Sequence, residues 1–178
     1  ANQDVQFIIP EANREFVATR MGCDPDWPIG LNDGTSIEIE GILFHGLASA
    51  HDELKTNDKG EQHFMGFVIQ LGPWTMYHSG DTRLYTGLED RLKKFSIDLA
   101  FLPINGFIPE RRVAGNLNSK EAAQLALDCN IGTTIPHHFD MFEFNTADPI
   151  EFSTACTNRQ ITCKILRNGE RATFTKSS

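Results

Sequence analysis

His51, Asp81 and His138 are the residues whose type and placement best suit metal chemistry. Each follows an apolar run that reads as a β-strand, and loops at one edge of a layered sheet converge on a rigid frame. Separations of 30 and 57 positions place the three in different loops that can meet there. Two imidazoles and a carboxylate suit a borderline divalent ion such as Zn²⁺ or Mn²⁺. The two carboxylate oxygens of Asp81 would let it bridge two ions. Residue type alone leaves other readings open. His51 can be a solvated loop histidine, and Gly80-Asp81 is ordinary turn chemistry. His137 reads as a packing or hydrogen-bonding neighbour, and His78 as a half-buried strand residue or a support for a ligand. His45 and His63 read as structural or surface groups. Arg83, Asn105, Arg111 and Arg112 either line a pocket for an anionic substrate or are polar loop residues.

The elements that would position these groups alternate along the chain. Val5 to Pro10 reads as a short strand, and Pro10-Glu11 opens a helix with Phe16 and Val17 inward and Gly22 as its stop. Cys23 to Gly34 is loop-like. Ser36 to Glu40 alternates with period two, and Ile42 to Ala48 continues as a strand. Asp52 to Gln62 is a polar loop. His63–Leu71 and Trp74–His78 form a hairpin about Gly72-Pro73. Leu84, Leu88, Leu92 and Phe95 recur at helical spacing, and Ile97 to Ile104 suits a buried strand. Asn118 with Glu121 forms a capping box before a helix whose inner face is Ala122, Leu125, Ala126 and Cys129. Thr133 to Pro136 is a strand leading into His137-His138. Asp148-Pro149 starts a last helix. Ile161–Leu166 and Arg171–Thr175 flank Asn168-Gly169, a hairpin turn signal. The pattern predicts one α/β (α+β) unit over residues 1–178, with no internal repeat or linker.

Composition narrows the function. The 178 residues carry a formal charge of −8, which gives no electrostatic reason to bind nucleic acid or an anionic membrane. No apolar run has the length of a spanning helix. Hydrophobic residues make up 40% of the chain, enough for a core rather than a disordered segment. Cys23, Cys129, Cys156 and Cys163 lack CxxC spacing and read as free thiols in a reducing cytoplasm. Ala1-Asn2-Gln3-Asp4 carries neither an initiator Met nor a signal pattern, as expected of a trimmed chain.

Local strings add a resemblance. Tyr77-His78-Ser79-Gly80-Asp81-Thr82 resembles the "HSGDT" segment of the metallo-β-lactamase superfamily, in which the Asp is a metal ligand. Ile135-Pro136-His137-His138-Phe139-Asp140-Met141-Phe142 is similar to the "IPxHxDxF" segment of the L-ascorbate-6-phosphate lactonase-like branch. There the ligand is the second residue after Pro, which selects His138 over His137. Ala50-His51-Asp52-Glu53 resembles that branch's "AHE" segment, a ligand source in many members. Leu102-Pro103-Ile104-Asn105-Gly106 and Gly115-Asn116-Leu117 also look like the family. The superfamily's HxHxDH string is absent: the histidines lie at 45, 51, 63, 78, 137 and 138.

The resemblance thus implies the C-terminal half of a metallo-β-lactamase αβ/βα sandwich, its N-terminal half lying outside this chain. It implies a metal-dependent hydrolase of lactones or phosphoesters, with a Zn or Mn ion making hydroxide available near neutral pH. Asp81 and His138 would be the catalytic residues, His51, Asp81 and His138 the metal ligands, and Asn105 and Arg83 substrate contacts. Partners are a small, anionic-compatible substrate and a second copy of the chain, since a lone half exposes an apolar sheet face. The alternative is a non-catalytic binding or assembly module that keeps the scaffold.

Overall fold

The computed structural model describes residues 5–176; the reading of Ala1 to Asp4 lies outside them. Nine strands and four α-helices follow one another in the order β1 (Ile8–Pro10), α1 (Arg14–Met21), β2 (Ile29–Leu31), β3 (Ser36–Ile39), β4 (Ile42–Ala48), β5 (Met65–Leu71), β6 (Trp74–His78), α2 (Leu88–Leu92), β7 (Leu99–Pro103), α3 (Ser119–Asp128), β8 (Thr133–His137), α4 (Pro149–Thr157) and β9 (Thr162–Cys163). Strands β3 to β9 form one sheet in sequence order, and β1 pairs with β2 apart from it. Pairing is antiparallel from β3 to β6 and parallel from β6 to β9. The C-terminal ends of β4, β6, β7 and β8 therefore share one edge of the sheet.

The core lies between one sheet face and the helices. Leu47, Val68, Tyr77, Ala100 and Leu102 come from successive strands and pack with Leu88, Leu92, Ala122, Leu125, Ala126 and Phe152. Asn118 caps α3 by accepting from the Glu121 backbone N–H at 3.0 Å, while Glu121 accepts from the Asn118 N–H at 2.9 Å. Asp148 accepts from the Ile150 N–H at the start of α4. The opposite sheet face carries Phe44, Phe67, Ile69, Met76 and Phe101, all half-buried. All four cysteines are free thiols, with Cys129 and Cys156 buried. Among the described residues no helix is long and apolar enough to cross a membrane.

Three expectations give way. Phe16 is 69% exposed, and Ala18 is the buried residue of α1. Leu84 lies outside α2, which starts only after Gly87, held at a φ of 93°. The Asn168-Gly169 turn forms, but only Thr162–Cys163 is strand, and it pairs parallel with β8. The chain after the turn shares a cleft with Leu71, Trp74, Met76 and Leu99, bringing Phe174 to the sheet face rather than to a hairpin partner.

Candidate metal centre

The shared sheet edge brings the polar loops together. The loop after β4 carries His51, that after β6 carries Asp81, and His138 immediately follows β8. Hydrogen bonds lock the first two loops to each other. The Ala50 N–H donates to Thr82 Oγ1 at 2.9 Å, and the Arg83 N–H donates to the Ala50 carbonyl at 2.8 Å. Ser49 Oγ donates to the Ser79 carbonyl at 2.6 Å. Gly80 completes the fit: its φ is +61°, and a Cβ there would stand 2.8 Å from the Met65 carbonyl oxygen. Glycine thus lets the chain turn tightly against β5 and presents Asp81.

His138 Nε2 lies 3.6 Å from Asp81 Oδ2. That is a charge contact, too long for a hydrogen bond. The contact with His138 is the main influence holding the Asp81 carboxyl below its ordinary range; Asp81 in turn raises His138. His138 adopts a φ of +65°, a left-handed backbone that a residue with a Cβ enters at a cost. His137 stacks on His78 with ring centroids 5.0 Å apart, and burial pushes it down to about 4. Burial also lowers His78, whose Nδ1 accepts from the Gly80 N–H at 3.1 Å.

His51 shares an open cleft of about 410 Å³ with Asp81, Phe64, Met65, Gly80 and His63. Its ring packs 5.5 Å from that of Phe64. Among the described residues, no three His, Cys, Asp or Glu side chains stand close enough together to hold a metal ion. The three expected donors form a close pair and a third that lines the cleft with Asp81.

The donor chemistry nevertheless fits a divalent ion. Two ligands on a tetrahedral Zn²⁺ stand roughly 3.3–3.6 Å apart, given bonds of about 2.0–2.2 Å, and the Asp81–His138 separation is 3.6 Å. His51 Nδ1, His137 Nε2 and His138 Nδ1 are buried without a hydrogen-bond partner among the described residues. An unmet buried polar atom costs about 1–3 kcal/mol, so three such nitrogens at one sheet edge call for a partner.

Asn105 occupies a different place from the one expected of a substrate contact. It is 3% exposed, and its amide donates to Asn145 Oδ1 at 2.8 Å and accepts from Asn116 Nδ2 at 3.0 Å. Arg111 joins this cluster, donating to the carbonyls of Asn105 at 3.0 Å and Thr146 at 2.9 Å. Together they tie the loop after β7 to the segment that follows His138. Arg83 remains partly exposed, with its guanidinium 4.8 Å from the Phe107 ring centroid and 4.0 Å from Asp52 Oδ1. His63 was expected to be structural or surface; it lines the cleft. The signal was its place just before β5, whose antiparallel start lies at the same edge as the end of β6.

A family model described as Beta-lactamase superfamily domain matches residues 7–139. A metal-dependent hydrolase of Methanosarcina mazei is 29% identical over 131 residues, covering 71% of this chain and 53% of that relative. One from Thermoplasma acidophilum is 32% identical over 124 residues, covering 70% of this chain and 51% of that relative. The chain thus spans about half the length of these curated relatives. The solved structure of a metallo hydrolase from Ignicoccus hospitalis matches with a TM-score of 0.75 at 22% identity, over 98% of this chain and 70% of that one. At that identity the likeness speaks for the fold.

Proposed function

The chain belongs to the Beta-lactamase superfamily domain family, and on that premise we propose that it supplies one half of a divalent-metal-dependent hydrolase site acting on a lactone or phosphoester. The observation that carries this reading is the Asp81–His138 pair, 3.6 Å apart at the converging ends of β6 and β8. Relatives named metal-dependent hydrolases support it. The finer placement, the C-terminal half of a lactonase-like member working in the cytoplasm with Zn or Mn, rests on the HSGDT and IPxHxDxF strings.

A divalent ion held there supplies Lewis acidity and lowers the pKa of water. Asp81 and His138 hold it as a pair, and His51 adds a donor from the Asp81 cleft. The stacked His78 and His137 rings back the Asp81–His138 pair from the sheet. Arg83 offers positive charge to an anionic substrate beside the cleft. Asn105 acts behind the site by fixing the loop through which Arg111 braces the segment after His138. The remaining donors come from chain outside residues 1–178.

The test is hydrolysis of γ-butyrolactone and of p-nitrophenyl phosphate by metal-stripped protein reloaded with Zn²⁺ or Mn²⁺. The reading requires turnover that depends on added metal and disappears in Asp81→Ala. The absence of a three-donor group among the described residues favours a second reading, a non-catalytic binding module. That reading requires no turnover with either metal, even in the presence of the missing half.

A further inference from the structure

His63 faces the same cleft as Asp81 and His51, and its ring is held in one tautomer by Asn13. Asn13 Nδ2 donates to the His63 carbonyl oxygen at 2.8 Å, while Asn13 Oδ1 lies 2.9 Å from His63 Nδ1. A carbonyl oxygen can only accept, so the amide nitrogen must face it. The amide oxygen must then face the ring, and an oxygen without hydrogen can only accept. His63 Nδ1 therefore carries the proton, and in the neutral ring Nε2 carries the lone pair. One side chain thereby pins both the backbone and the ring of His63 across 50 positions of sequence.

The cleft these groups line, about 410 Å³ and bounded also by Ser49, Phe64 and Met65, has the size of a small-molecule site. It offers a carboxylate at Asp81, an aromatic wall at Phe64 and a directed acceptor at His63 Nε2. A buried or half-buried acceptor of fixed orientation selects ligands that bring it a donor, because a ligand without one leaves it unpaired.

We propose that His63 is a specificity-determining residue that accepts a hydrogen bond, through Nε2, from a hydroxyl group next to the scissile carbonyl of the substrate. The inference rests on the reading of the Asp81 cleft as a hydrolytic site and names the substrate class as a hydroxylated lactone or ester. Asn13 is the positioning residue that sets the tautomer.

Long-range ¹H–¹⁵N correlation spectra of the full chain at neutral pH test this without any need for turnover. Wild type should show His63 protonated at Nδ1 and bare at Nε2, and Asn13→Ala should lose that single tautomer. Addition of α-hydroxy-γ-butyrolactone should shift the His63 Nε2 resonance, while γ-butyrolactone should leave it in place. His63→Phe should weaken binding of the hydroxylated lactone about tenfold and leave γ-butyrolactone unchanged. A proton on Nε2 in wild type, or equal responses to the two lactones, overturns the inference. Turnover of both lactones with a KM ratio unaltered by His63→Phe also overturns it, while leaving the hydrolytic reading intact. The shift at Nε2 without hydrolysis of either lactone upholds the role of His63 and removes the hydrolytic reading instead.

Discussion

His138 is asked to do two things at once: keep Nε2 near Asp81 and hold a left-handed backbone at φ +65°. Asn tolerates that conformation, whereas a β-branched side chain does not. His138→Val should therefore unfold about 1–2 kcal/mol more readily than His138→Asn in urea titrations, although both remove the imidazole. Two thiols give a pH prediction. Burial is the first cause raising both Cys129 and Cys156 from 9.0 to about 11. The unfolded chain ionises these thiols at lower pH than the native chain does. Stability should thus be intact below about 9 and fall as pH rises towards about 11. Urea midpoints measured across that range check the sign, and Cys129→Ser with Cys156→Ser should flatten the fall. Asp81 and His138 were legible in sequence because flanking strings marked them. Asn105 and His63 were not, because their roles depend on partners 40 and 50 positions away, Asn145 and Asn13.

Elements were legible where local chemistry decides them. The Asn118–Glu121 box, the Gly72-Pro73 hairpin and the Asp148-Pro149 start all rest on contacts within a few residues, and all three formed. Asn118→Ala should cost about 1 kcal/mol, read as a lower urea midpoint with unchanged slope. The failures have a different origin. Phe16 faces solvent because α1 packs through Ala18, which the apolar pattern alone does not single out. The tail beyond Gly169 leaves the expected hairpin, and Lys176 Nζ bonds Asp98 Oδ2 at 2.9 Å near the Trp74 ring. Gly80 shows the same dependence on tertiary packing. Gly80→Ala combines a left-handed φ with a 2.8 Å approach to the Met65 carbonyl. It should destabilise by about 1–3 kcal/mol and move Asp81, so metal affinity should fall with stability. A variant that loses stability while keeping full affinity would separate the turn from the site.

At the scale of the whole molecule, the sheet divides function from assembly. One face is closed by the helices, and the other presents half-buried Phe44, Phe67, Ile69, Met76 and Phe101. We expect the isolated chain to self-associate through this face. Light scattering should show dimers or larger species, and Ile69→Lys should return the chain to monomer; a monomeric wild type at high concentration would contradict this. The polar sheet edge lies apart from that face's centre, so the Asp81–His138 pair should survive the substitution. The α/β class and the run of parallel strands were legible from alternating patterns. What covers the second face was not, since it concerns chain beyond these residues. The account stands on one property of the edge, which calorimetric titration of the full chain with Zn²⁺ and Mn²⁺ measures directly. Wild type should bind at least one of these ions in defined stoichiometry, and Asp81→Ala and His138→Ala should each weaken it at least about tenfold. Equal affinity in all three proteins, or no binding by wild type, would contradict a metal site built on this pair.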